Sequence, residues 1–272
     1  MKPRRFDYVR PDSADEAVAV LAEYGEDASV LAGGQSLMAM LNLRLAEPAV
    51  LIDIASLKEL DYIRVGDGKV EVGAAVTQNR LKDWPELAGK LPLLAAALPF
   101  VGHFQTRNKG TVCGSIAHAD PSSEIPLVLA TLGGEVVLRS HRDARVLAAA
   151  DFQRGTLTTA REPDELIMAV RFPLQPTGRV AFREVARRHG DFAIIAVAAC
   201  VDDGDTVRIG IGGVADRPAA RRASAAAAKD IFESLAFELK GYDDLHASAR
   251  LRRDLLRRIG PVVVEEALRC AA

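Results

Sequence analysis

Ser29-Val30-Leu31-Ala32-Gly33-Gly34-Gln35-Ser36 is the stretch that decides the fold. Its first residues predict a short buried strand, which runs directly into a glycine pair. A second small-residue segment, Gly110-Thr111-Val112-Cys113-Gly114-Ser115, follows about 75 residues later. Small residues let a backbone approach a ligand closely, and successive backbone N–H groups bind phosphate oxygens. Each loop alone is more typical of a tight turn, but the two together favour a site that holds a pyrophosphate from two sides.

The dinucleotide-binding pattern G-x-G-x-x-G is absent from the sequence. Gly210-Ile211-Gly212-Gly213 matches only its first half, and we interpret this segment as a turn at the end of a strand. The sequence therefore argues against a Rossmann site and for another way of holding a nucleotide.

Composition excludes several classes of protein. The chain has 272 residues, of which 49% are hydrophobic and 26% charged, and this fits one large or two medium globular domains. Its formal net charge of -2 argues against nucleic-acid binding. No apolar run approaches the ~20 residues that span a membrane, and no apolar segment of a signal peptide follows the basic start. Cys113, Cys200 and Cys270 are isolated, which predicts a reducing cytoplasm and excludes an iron–sulfur or structural zinc site on this chain.

Hydrophobic periodicity predicts the elements of the first 173 residues. Ser13 and Glu16 match a capping box, which predicts a helix over Ala14–Tyr24 that Gly25 ends. Further strands are predicted at Ser29–Leu31, Val50–Ile54, Val70–Val72, Glu135–Leu138 and Asp164–Phe172. Further helices are predicted at Thr77–Trp84 and Leu91–Gly102.

The segment 173–178 is the predicted linker, because two prolines and a glycine interrupt it. Beyond it, strands are predicted at Val180–Val185, Ala193–Val201 and Val207–Ile211. Two alanine- and arginine-rich helices are predicted at Ala219–Leu235 and Leu245–Arg269, with Ala223–Ala228 as helix-forming sequence. Consecutive strands followed by helices indicate an α+β module with a three-stranded sheet.

Nearly end to end, the sequence resembles the FAD-binding medium subunits of molybdenum hydroxylases of the xanthine oxidase and carbon-monoxide dehydrogenase family. The matching stretches are Phe6–Pro11, Leu31–Leu37, Asn42–Leu45, Leu51–Ile54, Arg107–Pro126, Asp164–Ile167 and Arg187–Ala193. Their order, spacing and content agree together, which a chance glycine pair would not produce.

The resemblance implies an α+β fold with two domains. The first, residues 1–173, is a two-lobed FAD-binding domain of the vanillyl-alcohol-oxidase (PCMH) type, with lobes of about 1–55 and 56–173. The second, residues 178–272, is a small C-terminal α+β domain of the carbon-monoxide dehydrogenase flavoprotein type.

The resemblance also implies the residues that bind FAD. The pyrophosphate is expected to contact the first loop (Ala32, Gly33, Gly34, Gln35, Ser36) and the second (Thr111, Val112, Cys113, Gly114, Ser115). Asp120 and Glu124 are expected at polar parts of the cofactor, Leu166 or Ile167 near the adenine or flavin, and Phe192 beside the isoalloxazine ring. Three of these residues have a structural alternative: Asp120 starts a turn, Glu124 is a first-turn helix carboxylate, and Phe192 is plain core.

Other residues keep two interpretations open. His118 is interpreted as structural rather than as a base or proton relay. Arg107 either neutralises phosphate or stabilises a reduced anionic flavin, or it forms a structural ion pair. Cys113 stands where most relatives have glycine. We expect its small side chain to fit into the loop without a chemical role; a thiol with a lowered pKa and a covalent link to flavin are the alternatives. Glu184 stands where relatives often have lysine, which puts in doubt a positive charge near the flavin.

The function that the resemblance implies is electron transfer within a multi-subunit enzyme. A large subunit carries molybdopterin, a small subunit carries two [2Fe-2S] clusters, and this chain passes their electrons through FAD to NAD+, a quinone or oxygen. A dimer of heterotrimers is the expected assembly, and no catalytic residue or metal ligand is expected here. The alternatives are a self-contained FAD oxidase or dehydrogenase, with His118 or His103 as its base, and a non-enzymatic flavin-binding scaffold.

Overall fold

The computed structural model describes residues 2–175, 178–202, 206–228 and 230–270. Its helices are α1 Ala14–Tyr24, α2 Leu37–Leu43, α3 Gln78–Lys82, α4 Leu87–Lys90, α5 Pro92–Ala97, α6 Phe104–Lys109, α7 Val112–His118, α8 Glu124–Leu132, α9 Ala149–Phe152, α10 Ile231–Glu238 and α11 Ala249–Arg269. Its strands are β1 Asp7–Val9, β2 Ala28–Leu31, β3 Val50–Asp53, β4 Ile63–Gly66, β5 Lys69–Gly73, β6 Glu135–Arg139, β7 Ala144–Ala148, β8 Gln153–Gly155, β9 Thr158–Thr159, β10 Leu166–Pro173, β11 Val180–Val185, β12 Ile195–Val201, β13 Thr206–Gly212 and β14 Ala219–Ser224.

A three-stranded parallel sheet, in the order β1-β3-β2, carries the first glycine loop at the end of β2. Helix α1 covers this sheet and has the predicted bounds, because Ser13 Oγ accepts a bond from the Glu16 N–H at 3.2 Å. The Glu16 carboxylate accepts from the Asp12 N–H at 2.7 Å rather than from Ser13, so half of the predicted capping box forms. The sheet thus delivers Ala32 and the following residues to the protein surface at a fixed place.

A five-stranded antiparallel sheet, in the order β4-β5-β10-β6-β7, supports the second glycine loop. Helices α7 and α8 pack on its central strand β10. The predicted helix Leu91–Gly102 is shorter, since α5 ends at Ala97 and a 3₁₀ turn, Leu98–Phe100, contains Pro99, which has no N–H to donate. The hairpin of β8 and β9 was not predicted.

A four-stranded antiparallel sheet, in the order β11-β12-β13-β14, forms a layer between two sets of helices. Every residue of β12 is buried: Ala196 and Ala198 face the core of the first two sheets, whereas Ile195 and Val197 pack in a second core that also contains side chains of α10 and α11. A Cβ on Gly210 would lie 1.8 Å from Thr131 Oγ1, so only glycine lets α8 lie this close to β13. This close packing holds α8, and therefore its first residue, against the sheet.

The predicted helix Ala219–Leu235 is wrong over its first part. Residues Ala219–Ser224 form strand β14, so the C-terminal sheet has four strands rather than three. Ala225–Ala228 form turns, and the helix begins only at Ile231. The open edge of β13 offers backbone partners from Thr206 to Ile211, and this pairing outweighs the helix propensity of alanine and arginine.

The predicted linker 173–178 includes Pro176 and Thr177, which lie outside the described residues. Just before them, Gln175 is 5% exposed, and its Oε1 accepts a bond from the Leu93 N–H at 3.0 Å. The start of this segment is therefore packed into the protein. In the ranges that the structure covers, no helix has the length and apolar character needed to cross a membrane.

Candidate functional site

A cleft of about 630 Å³ lies where the end of β2 and the start of β10 meet the start of α7 and the loop before β12. This volume falls within the range of ordinary small-molecule sites. All but two of the predicted site residues line it: Ala32, Gly33, Gly34, Gln35, Ser36, Thr111, Cys113, Gly114, Ser115, Glu124, Leu166, Ile167 and Phe192. The fold therefore brings together residues that are far apart in sequence.

The first glycine loop turns sharply between β2 and α2. Gly34 has a φ of 68°, a left-handed conformation that favours glycine. Gln35 Nε2 donates to the Gly33 carbonyl at 3.3 Å and holds the turn. Ser36 precedes α2 without making a side-chain cap bond, so its hydroxyl is available to a ligand in the cleft.

The second glycine loop is the start of α7. Thr111 Oγ1 accepts a bond from the Gly114 N–H at 2.9 Å and caps the helix. A Cβ on Gly114 would lie 2.7 Å from Thr111 Oγ1, so glycine is needed for this cap. The Thr111 hydroxyl proton is still free to bond to a ligand in the cleft.

The two loops touch through their backbones. A Cβ on Gly33 would lie 2.1 Å from the Lys109 carbonyl oxygen and 2.6 Å from Gly110 Cα. Real Cβ atoms do not approach this closely, so the contact exists only because residue 33 is glycine. It joins the two halves of the predicted phosphate site into one rim.

Two predicted residues lie outside the cleft lining. Val112 is fully buried in the core beneath α7. Asp120 Oδ1 accepts a hydrogen bond from the Ser122 N–H at 2.8 Å. Asp120 therefore starts a turn, which was the structural alternative to a cofactor contact. The turn places Asp120 near Glu124, whose pKa it influences.

Glu124 and Glu184 form a buried pair of acids beside the cleft. Glu124 is the first residue of α8 and is 6% exposed, and it is hydrogen-bonded to Glu184 on β11. Burial raises the pKa of both carboxyls, and each is raised further by a nearby carboxylate: Asp120 for Glu124, and Glu124 for Glu184. A hydrogen bond between two carboxyls requires a proton on one of them, and the direction of the pKa effects places it on Glu184.

Glu184→Gln is expected to stabilise the protein above neutral pH. A carboxyl whose pKa is raised on folding stabilises the folded state below its unfolded pKa, and this contribution is lost as the pH rises through the folded pKa. Glutamine keeps a hydrogen-bond donor but has no proton to lose, so the variant should gain roughly 1–2 kcal/mol relative to wild type at alkaline pH, after discounting for the partial exposure of Glu184. Urea unfolding across the pH range measures this difference, and a constant difference from acid to alkaline pH would contradict it.

Phe192 is not plain core. It is 59% exposed and lines the cleft from the loop between β11 and β12. Gly190, with a φ of 86°, packs on the His103 ring, where a Cβ would lie 2.6 Å from ring atoms. His103 therefore positions this loop, whereas His118 lines the cleft itself.

Arg107 bonds to backbone rather than to a phosphate or a carboxylate. Its Nη1 donates to the carbonyls of Val101 and Gly102 at 2.8 and 2.9 Å. Arg107 thus holds the turn that places Gly102 in the cleft wall.

The Cys113 thiol fits without strain. Cys113 lies within α7 with a negative φ, and its Sγ donates to the Val72 carbonyl at 3.6 Å. Burial raises the pKa of this thiol, which is opposite to the lowered pKa that a reactive cysteine needs. The structure therefore agrees with simple accommodation of the side chain.

Sequence reasoning missed several polar residues of the cleft, of which Gln78 and Arg161 matter most for a ligand. Gln78 is 6% exposed, lies in the lining beside Gly110, and its buried Oε1 has no hydrogen-bond partner within the described part of the chain. Arg161 is the one arginine or lysine among the described residues that line the cleft, and burial lowers its pKa. In the sequence, only the helix N-cap Thr77, directly before Gln78, pointed to the place of Gln78. No sequence pattern indicated Arg161.

Comparison with known proteins agrees with this geometry. Residues 4–175 match the family described as FAD binding domain in molybdopterin dehydrogenase. The chain is 41% identical over 204 residues to the caffeine dehydrogenase subunit beta of Pseudomonas sp. (strain CBB1), covering 74% of this chain and 69% of that one. It is 38% identical over 227 residues to the carbon monoxide dehydrogenase medium chain of Afipia carboxidovorans, covering 80% and 77%.

The fold also matches a solved structure along its whole length. A carbon monoxide dehydrogenase chain from Hydrogenophaga pseudoflava, in a form that lacks the Mo-pyranopterin moiety of the molybdenum cofactor, superposes with a TM-score of 0.92 at 31% identity and covers 100% of both chains. The resemblance and the α+β fold class are thereby confirmed. This chain belongs to the family of FAD-binding domains of molybdopterin dehydrogenases.

Proposed function

We propose that the chain binds FAD in this cleft and is the electron-transfer subunit of a molybdenum hydroxylase. It takes electrons from iron–sulfur clusters on a small subunit and passes them to NAD+, a quinone or oxygen, while a large subunit carries the molybdenum cofactor. The observation that carries the proposal is the backbone contact between Gly33 and Lys109–Gly110, which joins the two small-residue loops at one rim. The medium-chain relatives support the division of labour.

The residues of the cleft fit FAD on their own chemistry. Backbone atoms leave no room for a side chain at Gly33, and the Thr111 hydroxyl leaves none at Gly114. The Ser36 and Thr111 hydroxyls have protons to donate, and Gln78 Oε1 lacks a partner among the described residues. Arg161 supplies a positive charge for an anionic ligand. These features suit a pyrophosphate with hydroxyl groups attached, which is the middle of FAD.

Each part of the chain has a proposed role toward the cofactor. The two loops hold the pyrophosphate with N–H groups, Glu124 accepts from a ribityl or ribose hydroxyl, Leu166 and Ile167 pack against a ring, and Phe192 shields the flavin at the mouth of the cleft. When bound, FAD accepts single electrons and releases pairs, so the protein supplies position, electrostatics and access rather than a catalytic base. Assembly as a dimer of heterotrimers and a cytoplasmic location are part of the same proposal.

Thr111→Ala is expected to weaken FAD binding by about ten-fold or more, because a hydrogen bond to a charged ligand group is lost. Thr77→Ala is the matched control, since Thr77 Oγ1 caps α3 by accepting from the Arg80 N–H at 3.2 Å but does not line the cleft. Both changes remove an N-cap and should cost about 1 kcal/mol of stability. Flavin fluorescence titration and thermal unfolding of both variants measure the two effects.

Equal FAD affinities for the two variants would contradict the proposed role of the second loop. A chain that binds FAD, turns over a small substrate without partners and loses that turnover when His118 is replaced would favour the self-contained oxidase.

A further inference from the structure

The acid pair at the cleft wall has a consequence for the cofactor. We infer that Glu184 holds a proton shared with Glu124, keeps the pair at a single negative charge, and thereby sets the pH range over which the chain binds FAD tightly. Glu184 is thus a positioning residue that acts through Glu124. The inference rests on the proposed function, because it places FAD beside Glu124.

The packing of the sheet brings the two carboxyls together. Glu184 lies opposite Ala196 in the pairing of β11 and β12, on the same face of β11 as Phe182, which belongs to the core beneath α8. Glu124 begins α8 and lies in the cleft lining. Among the described residues, Glu184 Oε2 is buried and no donor group reaches it. A proton on Glu184 itself is therefore what bonds the pair.

No basic side chain compensates the pair. Arg183, next to Glu184 on β11, faces the other way and is paired with Glu266 of α11. Arg187 and Arg188, in the following loop, are paired with Asp191. Neither Glu124 nor Glu184 forms an ion pair with a lysine, arginine or histidine in the part of the chain that is described.

The other elements that pack around Glu124 and Glu184 carry few charged side chains, and the charge that they contribute is negative. Helix α5 contains only proline, leucine and alanine, and the remaining residues of α8 have no titratable side chain. On β12 the side chains near the pair are Ala196 and Ala198. The turn before α8 contributes Asp120, a further carboxylate. Only the N-terminal N–H of α8 and the hydrogen bond from Glu184 itself favour the charged form of Glu124. Loss of the shared proton therefore leaves two adjacent, uncompensated negative charges.

This second charge would oppose FAD, because the pyrophosphate is itself anionic. Charges that interact across a cleft at low effective dielectric change an equilibrium constant by an order of magnitude. FAD affinity should therefore fall by about ten-fold as the pair loses its last proton at alkaline pH. Because burial raises the pKa of both groups, this fall lies well above the ordinary carboxyl range.

The test compares the full-length chain, stripped of flavin, with its Glu184→Gln and Glu184→Ala variants. Glutamine keeps a donor to Glu124 but has no proton to lose, so the alkaline fall in FAD affinity should disappear. Alanine removes the donor, leaves Glu124 unpositioned, and should weaken FAD at every pH. Glu86→Gln, an exposed acid outside the cleft lining, is the control and should titrate like wild type.

Two readouts separate this inference from the proposed function. FAD titration by flavin fluorescence gives the affinity at each pH. Infrared difference spectra of the flavin-free chain report a protonated carboxyl that titrates above neutrality and is missing in Glu184→Gln, where the remaining carboxyl, Glu124, titrates nearer pH 7. Absence of that carboxyl band, or the same pH dependence of affinity in wild type and Glu184→Gln, overturns the inference. If the carboxyl band titrates as expected but the chain binds no FAD at any pH, the proposed function is overturned, whereas the shared proton between Glu184 and Glu124 is supported.

Discussion

Gly33→Ala is expected to abolish FAD binding and to destabilise the protein by about 1–3 kcal/mol, the usual cost of overpacking. The new methyl group would lie 2.1 Å from the Lys109 carbonyl oxygen and 2.6 Å from Gly110 Cα. Both are backbone atoms, so no side-chain rotation relieves the clash, and the two loops must separate. Separation opens the rim that we propose holds the pyrophosphate.

Gly89→Ala is the matched control for this change. Gly89 lies in α4, and a Cβ there meets nothing within 4 Å. Alanine should leave FAD binding unchanged and stabilise the helix by about 0.5–1 kcal/mol. Flavin content after purification and thermal unfolding of both variants give the comparison, and a Gly33→Ala protein with full flavin content would refute the loop contact.

Arg252→Met is expected to destabilise the protein by about 3–5 kcal/mol, the largest effect among these substitutions. Arg252 is 1% exposed, its Nη1 donates to the carbonyls of Ile194 and Gly213, and its Nη2 donates to Asp244 Oδ2 at 2.6 Å. Methionine fills much of the volume but leaves two buried carbonyls and a carboxylate without this donor. Because Gly213 also donates from its N–H to the Pro121 carbonyl, at 2.9 Å, the damage should extend to the turn before Glu124.

Arg250→Met, two residues earlier on the same helix, is the control. Arg250 is 87% exposed and has only a pair with Asp254 at 3.7 Å, so its replacement should change stability by less than about 0.5 kcal/mol. Urea unfolding gives both values. Similar free energies of unfolding for the two variants would show that the buried network contributes nothing.

Local signals in the sequence predicted local structure well. The Ser13 cap fixes the start of α1, and the small residues after β2 and before α7 form the two loops as expected. The prediction was wrong where a long-range partner decided the outcome: Ala219–Ser224 has helix-forming composition, but the free edge of β13 makes it a strand.

The polar details of the cleft depend on contacts that the sequence does not reveal. The roles of Gln78 and Arg161 appear only once α3, α7 and the segment before β10 are folded around one cavity. Glu184 was noted as a departure from its relatives, but its partner Glu124 lies 60 residues away and becomes visible only through the packing of α8 on the sheet. A residue pattern predicts which loops bind a phosphate, whereas the electrostatics of the wall require the structure.

The most direct test of the central claim is purification of the native complex by a tag on this chain, with an absorption spectrum and acid-released flavin measured on the product. We predict one FAD per chain, released intact by acid, together with iron–sulfur absorbance and two co-purifying chains of larger and smaller size. A lone chain without flavin, or one with flavin that oxidises a small substrate unaided, would contradict the account.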